Sequence, residues 1–301
     1  MLLGVSLAVF SMLHLLPVDP VEMLIMDSTT GTAPTSGVTD EMMDNLRREL
    51  GLDRPLPVQF ASFVGNALRG DLGMSFRNNR PVSEMLAEQL PYTIRLTLAG
   101  LGTSVVLGLT LGILAGLRPN SWIDSASMLL ATFGVSMPSF WLGLMLIYLF
   151  ALRLQALPAL GVGSPQALLM PAIALGFHGS AIIARLTRSS ILEIMGSEYI
   201  TTARAKGVAE SFVVLRHALR NALIPVVTVV GLEFGSLMSG AVITETVFAR
   251  PGIRRLAVRG ILEKDFPLVQ GFVLFIAVIY VLSNLIVDLC YAWLDPRIRF
   301  E

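Results

Sequence analysis

The sequence predicts an all-α integral membrane protein with six transmembrane helices. Hydrophobic residues make up 54% of the 301-residue chain and charged residues only 15%, whereas soluble domains contain about 45–50% apolar residues. The mean hydropathy is +0.70. Beyond residue 92, five apolar runs are long enough to cross a bilayer, which takes about 20 helical residues. A polar and basic segment, 197–225, interrupts these runs.

The first apolar run, residues 1–16, is shorter than a full span. A secretory signal peptide would have a basic start and a small-residue cleavage site, but this run contains no Lys or Arg and is followed by the sequence PVDP. We therefore expect residues 1–16 to be a first transmembrane helix whose start is missing. Residues 17–92 are polar and patterned as short amphipathic helices, for example at 40–50, so they are expected to form an extramembrane segment, which is extracytoplasmic if the 197–225 segment is cytoplasmic.

The other five helices are expected at 93–117, 127–151, 167–186, 222–246 and 268–291. Residues 93–291 are thus the predicted five-helix core, and 292–301 form a cytoplasmic tail. Proline interrupts these helices at Pro138, Pro171 and Pro225. Membrane helices tolerate such prolines where neighbouring helices or cavity water satisfy the freed carbonyl groups. Proline kinks are compatible with a transport pathway, but they are also common in membrane helices generally.

Small residues recur every four positions in the second and fifth predicted helices. Such stripes allow two helix backbones to approach closely. Packing inside the chain and an interface with another subunit both explain the pattern. The positions are Gly108, Gly112 and Gly116 in the second helix, and Gly231, Gly235 and Ser239 in the fifth.

The 197–225 segment carries the local signals of two short helices with a break between them. Ser197 is a suitable N-cap, while Glu198 in the first turn and Arg204 near the last turn oppose the helix dipole. Gly207 is expected to end the first helix, because glycine adopts the left-handed conformation that costs other residues about 1–2 kcal/mol. The second helix, from about residue 209, has mixed apolar and basic faces and is expected to lie against a partner.

The sequence lacks the motifs of several catalytic and metal-binding classes of protein. No G-x-x-x-x-G-K-[ST] run is present, so the chain is not expected to hydrolyse ATP alone. The three histidines lack zinc-ligand spacing, and no serine lies in a G-x-S-x-G elbow. Neither a metal site nor a catalytic residue is therefore expected. The zero net charge gives no indication of nucleic-acid binding, and the lone Cys290 is expected to be a small buried apolar residue.

A few ionisable residues fall inside predicted spans, where a charge costs about 2.5 kcal/mol or more. Glu233 is the strongest candidate for lining a polar pathway, although a buried pair with a basic or hydroxyl partner would also explain it. His178 lies in a glycine-rich patch and is either a second pathway residue or a satisfied core histidine. Ser236 is the third pathway candidate. Asp288, near the end of the last helix, is expected to form an interfacial pair with the basic tail.

The 197–225 segment resembles the EAA loop of ABC-importer permease subunits, and specifically that of the dipeptide and oligopeptide permease family. The resemblance rests on the sequences YITTARAKG at 199–207 and RHALRNALIP at 216–225. Thr201, Thr202 and Arg220 depart from the general EAA pattern, and the peptide-permease branch shares these departures. Further family signatures lie along nearly the whole chain, at 15–20, 51–56, 70–75, 80–82, 90–93, 245–252 and 295–299.

The resemblance implies a multi-pass permease of the bacterial cytoplasmic (inner) membrane, with a cytoplasmic EAA loop at 189–221. The implied partners are a second homologous permease, two ATPase subunits that bind ATP and Mg, an extracytoplasmic substrate-binding protein and the lipid bilayer. The loop would dock on an ATPase subunit and transmit its closure to the membrane helices, with basic side chains available for acidic groups there. The implied contact residues are Tyr199, Thr202, Ala203, Arg204, Lys206, Gly207 and Arg216.

The resemblance leaves the substrate open, because members of the family transport dipeptides, longer peptides, glutathione or metal complexes. Arg254 stands where the family often has a small residue and adds extracytoplasmic positive charge. The alternative function is a proton-coupled secondary transporter that uses Glu233 or Asp288, although no inverted repeat is evident. A membrane scaffold or receptor without transport activity is a third possibility.

Overall fold

The computed structural model describes residues 2–15, 40–49, 53–162, 164–240 and 242–294. The described chain divides into two compact units, one from Met1–Leu90 with Ile253–Val281 and the other from Pro91–Gly252 with Leu282–Glu301. The helices are α1 (Leu2–Leu15), α2 (Asp40–Glu49), α3 (Leu56–Leu68), α4 (Val82–Leu117), α5 (Trp122–Ser136), α6 (Ser139–Leu146), α7 (Gln166–Met195), α8 (Glu198–Ala205), α9 (Glu210–Ala222), α10 (Ile224–Gly240), α11 (Val242–Val247), α12 (Ile253–Leu262) and α13 (Phe266–Leu294).

The described residues contain three helices that are long and apolar enough to cross a membrane, namely α4, α7 and α13. Two bent pairs raise this number to five if each pair counts as one span. One pair is α5 with Ser139–Arg153, which consists of α6 and the π-helical residues Ile147–Arg153, and the other is α9 with α10. The all-α membrane architecture is thus confirmed. The predicted sixth span, residues 1–16, corresponds to the short apolar helix α1 and stays a prediction.

Two helix boundaries differ from the sequence-based prediction. Helix α4 begins at Val82 instead of 93 and continues through Pro91. Its early turns have a buried face, since Val82 and Leu86 are fully buried in the core of the first unit. Helix α7 ends at Met195 instead of 186, so the first residues of the EAA loop predicted at 189–221 are helical, and the bounds of that loop stay a prediction.

The predicted single helix at 127–151 was wrong, because the structure has two helices there that are bent by 107°. Met137 leaves the helical conformation, with ψ at 125°, and Pro138 then precedes α6. Proline has no N–H to continue the hydrogen-bond ladder, and it disfavours helical geometry at the residue before it. Pro225 does not break a helix as predicted. It lies in the first turn of α10, where a missing N–H costs no helical hydrogen bond.

The first unit contains a core of α4, α12 and α13 residues that includes Leu86, Ile253 and Leu268. A short turn after α3 is fastened to the residue before α13. The Ser75 hydroxyl donates to the buried Asp265 carboxylate, and the Phe76 N–H donates to the same group at 3.1 Å. These bonds satisfy a buried carboxylate that would otherwise be costly.

In the second unit, the glycine stripe of α4 packs directly on α7. A Cβ atom added at Gly108 would lie 2.6 Å from the Cβ of Ile183, and one added at Gly112 would lie 2.6 Å from the Cβ of Thr187. This confirms the intrachain interpretation of that stripe. By contrast, a Cβ at Gly235 of α10 would meet only Asn284, at 3.8 Å.

A partly buried ion pair joins α5 to α7. The Arg188 guanidinium donates to both carboxylate oxygens of Asp124, at 2.6 and 2.8 Å, and Asp124 is only 5% exposed. The Asn120 N–H donates to the same carboxylate at 3.0 Å. The bidentate geometry fixes the start of α5 against the middle of α7.

Candidate functional site: a polar hairpin and a cavity at a helix break

Residues 197–225, hereafter the 197–225 hairpin, form two helices, α8 and α9, on either side of a glycine turn. Gly207 has a φ of +75°, and its N–H donates to the Arg204 carbonyl at 2.9 Å. The predicted break at Gly207 is therefore confirmed. Ser197 has the extended backbone of an N-cap, but its hydroxyl donates to the Ile194 carbonyl at 2.6 Å and does not cap α8. The predicted side-chain cap was wrong.

The hairpin has a hydrophobic core of its own. Ile200, Val213 and Ala218 are fully buried, and Ile194 at the end of α7 packs against them. Helix α9 is π-helical over Val213–Ala218, the stretch that contains two of these core residues. A motion of the hairpin can therefore be passed to α7 through packed side chains.

Two polar contacts close the hairpin across its turn. The Arg204 guanidinium donates to both oxygens of Glu210, at 3.0 and 2.6 Å, and this hydrogen bonding lowers the pKa of the Glu210 carboxyl. The Asn221 side chain donates to the Tyr199 hydroxyl at 3.0 Å. In this chain Glu210 holds the Arg204 guanidinium, and the contact of Arg204 with acidic groups of a partner stays a prediction.

The outer face of the hairpin is apolar and basic. Phe212 is 47% exposed and Leu215 is 68% exposed. The Arg216 guanidinium lies over the Phe212 ring, 5.6 Å from its centre. Of the seven contact residues expected from the resemblance, Ala203 is half-buried in the hairpin core, and the others are exposed: Tyr199, Thr202, Arg204, Lys206, Gly207 and Arg216.

The three pathway candidates line one cavity of about 390 Å³, hereafter the helix-break cavity. His178 comes from α7, and Glu233 and Ser236 come from α10. The remaining wall is formed largely by the α5–α6 break, including Ser136 and Pro138. The sequence did not predict that the bend and the polar residues share one site, because they are far apart along the chain.

Glu233 is half-buried and lies against α7 at Gly179, where an added Cβ would overlap its carboxylate. Among the residues that the structure describes, none donates a hydrogen bond to this carboxylate, and the charged neighbour with which it interacts is His178. His178 is exposed at the cavity, which contradicts its interpretation as a core histidine. The described residues also contain no group of three or more His, Cys, Asp or Glu that could hold a metal ion.

Some residues with a predicted role lie outside the part of the chain that the structure describes. The side chains of Asp288 and Cys290 are outside the described residues, as are Arg297 and Arg299. Their predicted roles stay predictions. Arg254 is described and is buried, at 6% exposure.

An all-α membrane unit with a polar helical hairpin and a partly open polar cavity at a helix break is the architecture expected of a membrane transport subunit. The chain matches the family described as binding-protein-dependent transport system inner membrane component over residues 108–300. It also matches the N-terminal model for the membrane components of these systems over residues 1–97. The chain therefore belongs to this family: it is a multi-pass permease subunit of an ABC importer in the bacterial inner membrane, and not itself an enzyme.

Two curated relatives are similar along nearly their whole length. The glutathione transport system permease protein GsiC of Escherichia coli O6:H1 is 40% identical over 297 residues, covering 99% of this chain and 94% of the relative. The dipeptide transport system permease protein DppB of Alkalihalophilus pseudofirmus is 39% identical over 327 aligned residues, covering 99% and 96%. Family and relatives favour an importer permease over a proton-coupled secondary transporter.

Solved structures share the fold. The MetNI methionine ABC transporter in an inward-facing conformation gives a TM-score of 0.58 at 18% identity, over 70% of this chain and 96% of that chain. An amino acid ABC transporter crystallised with histidines gives 0.54 at 17% identity, over 69% and 92%. At this identity the likeness confirms the ABC permease fold.

Proposed function

We propose that the importer carries peptides or peptide-like solutes such as glutathione, and that this chain forms half of the translocation pathway beside a second, similar permease. The observation that carries the proposal is the full-length similarity, at 40% and 39% identity, to permeases named for glutathione and dipeptide transport. An extracytoplasmic binding protein would deliver the solute. Two ATPase subunits would bind ATP and Mg²⁺ on the cytoplasmic side.

In this proposal, the 197–225 hairpin docks on an ATPase subunit and transmits its ATP-driven motion to the membrane helices. Three properties support this: the hairpin has its own buried core, its turn is fixed by Gly207, and its outer face presents Phe212, Leu215 and Arg216. A rigid element with an apolar and basic surface is suited to docking on a protein with acidic groups. Besides Arg204, which is paired with Glu210 in this chain, the exposed basic groups of the hairpin are Lys206, Arg216 and Arg220.

Reconstitution tests this function directly. The chain, its partner permease, the ATPase subunits and the binding protein are placed in liposomes, and uptake of labelled alanyl-alanine and of glutathione is measured with and without ATP. We expect uptake that requires both ATP and the ATPase subunits. Uptake that persists without the ATPase subunits and follows a proton gradient would overturn the mechanism, and import of a metal complex but of no peptide would overturn the substrate class.

A further inference from the structure

We infer that the helix-break cavity binds a cationic group, and that in the importer this group is the terminal ammonium of the peptide in transit. The inference rests on the proposed peptide substrate. It assigns Glu233 as the residue that contacts this ammonium. It also implies that the bend between α5 and α6 at Pro138 shapes the wall of the cavity that contacts the peptide.

The charge of the cavity supports a cation. Among the residues that line it, Glu233 is the one Asp or Glu, and no Lys or Arg is present. His178 is the other titratable group in the lining. A half-buried carboxylate that accepts no hydrogen bond from the described residues, at a site with room for a small group, is a ready acceptor for a charge-assisted hydrogen bond, and its neighbour His178 is the competing charge.

The helix break brings backbone groups of two helix ends to the cavity. Helix α5 ends at Ser136, and Met137 donates its N–H to the Phe133 carbonyl at 3.0 Å. Pro138 has no N–H, so it cannot donate to the carbonyl of Gly134, which also lines the cavity. The C-terminal end of α5 carries about half a negative charge and the N-terminal end of α6 about half a positive charge, and both ends border the same space as Glu233. The Glu233 carboxylate, and not the helix dipoles, therefore sets the sign of the site; broken membrane helices use free carbonyls at cation sites and helix N-termini at anionic groups.

The size of the cavity fits a small solute. Its volume of about 390 Å³ is within the range of about 300–1,000 Å³ that is usual for ligand pockets. Ser136, Ser139 and Ser236 line the wall, and their hydroxyl groups can bind peptide amides. Leu142 and Phe177 supply apolar surface. The wall is therefore suited to a short peptide whose charged end meets Glu233.

Cysteine protection tests the site without the binding protein, which would impose its own selectivity. Ser236→Cys is introduced with Cys290→Ser into the permease–ATPase complex in liposomes, and modification of the new thiol by a maleimide is followed. Alanyl-alanine, N-acetyl-alanyl-alanine and methylammonium are the probes. We expect alanyl-alanine and methylammonium to slow the modification. The acetylated dipeptide should give the same protection only at a concentration about tenfold higher than that of alanyl-alanine.

The same assay in two variants assigns the effect to Glu233. Glu233→Gln should raise the concentration of alanyl-alanine needed for protection about tenfold and leave that of the acetylated dipeptide unchanged. The matched control Glu193→Gln removes the same charge from an exposed position at the end of α7 and should change neither. An unchanged rate of thiol modification without peptide shows that the cavity is intact in each variant.

The outcomes separate this inference from the proposed function. Equal protection by the two dipeptides, an equal effect of Glu233→Gln on both, or no protection by any probe overturns the cation site, whether or not the complete importer takes up peptides. If methylammonium protects in a Glu233-dependent way but the complete importer takes up no peptide, the cation site stands and the peptide function is wrong.

Discussion

The 197–225 hairpin and the helix-break cavity are both polar interruptions of apolar helices, but they differ in whether their polar side chains bond to one another. In the hairpin, Arg204 is paired with Glu210 and Tyr199 is bonded to Asn221. In the cavity, Glu233 has no such partner within the described residues, and His178 is exposed. Each region also has a break in its helix, at Gly207 in one and at Pro138 in the other.

The difference indicates what each region is suited to bind. Internal pairing makes the hairpin rigid and leaves an apolar surface, which favours a large and preformed partner such as another protein. A half-buried carboxylate that accepts no hydrogen bond from the described residues favours a small cationic solute, because such a ligand can replace water with a charge-assisted hydrogen bond. Variants that disturb one region should therefore affect coupling, and those that disturb the other should affect substrate handling.

The largest effect is expected from Gly207→Val. A β-branched residue at a φ of +75° is strained by about 1–2 kcal/mol, which reduces the population of the native turn about tenfold. We expect ATP hydrolysis by the complex to continue while peptide uptake per ATP falls by a similar factor. The measurement is the ratio of uptake to hydrolysis in proteoliposomes. Gly207→Asp should act in the same direction with a smaller effect, because Asp tolerates this conformation better.

Gly70→Val is the matched control for this variant. Gly70 has a φ of +81°, and, as at Gly207, an added Cβ would have nothing within 4 Å. The backbone strain is thus the same, but the position lies outside the hairpin. If Gly70→Val lowers the ratio of uptake to hydrolysis as much as Gly207→Val does, the hairpin has no special role in coupling.

Local signals account for what the sequence predicted correctly. Gly207 was identified as a break because glycine acts through its own backbone, and the α4 stripe was identified because Gly108, Gly112 and Gly116 follow one helical period. The bend of 107° at Pro138 was not predicted. The apolar run continues through it without change of period, and proline alone does not specify whether a helix kinks or turns back.

Contacts between distant residues could not be predicted. Arg204 and Glu210 are six positions apart and face each other only because the turn at Gly207 brings α9 back toward α8. Asp124 and Arg188 are separated by 64 positions, and nothing in either local sequence marks them as a pair. Glu233 was recognised as unusual because a carboxylate in an apolar run is costly, but its cavity depends on the bend at Pro138.

A smaller effect is expected from Gly179→Ala, and it should be confined to substrate handling. The added Cβ would overlap the Glu233 carboxylate and would lie 2.8 Å from the Ser104 hydroxyl, so the carboxylate must move. Overpacking of this kind costs about 1–3 kcal/mol. We expect a severalfold rise in the alanyl-alanine concentration needed for half-maximal uptake, with the ratio of uptake to hydrolysis unchanged at saturation.

Gly102→Ala is the control for Gly179→Ala, because it adds the same methyl group to α4 at a position with nothing within 4 Å. It should transport like the unmodified protein. A fall in the ratio of uptake to hydrolysis in Gly179→Ala, without a change in the half-saturating concentration, would contradict the assignment of the cavity to substrate binding.

The smallest effect is expected from reversing one charge of the Arg204–Glu210 pair. Both side chains are exposed, at 41% and 58%, and exposed pairs contribute little to stability because water and salt screen them. Arg204→Glu and Glu210→Arg should each lower the ratio of uptake to hydrolysis modestly, and the double variant should restore it, because the bidentate contact can form in either direction. The lowered pKa of Glu210 means that the contact is present at neutral pH and is lost only as the pH falls through that value. If Arg204 instead contacts an acidic group of the ATPase, the double variant will not recover, and the description of the hairpin as internally paired in the assembled importer will be wrong.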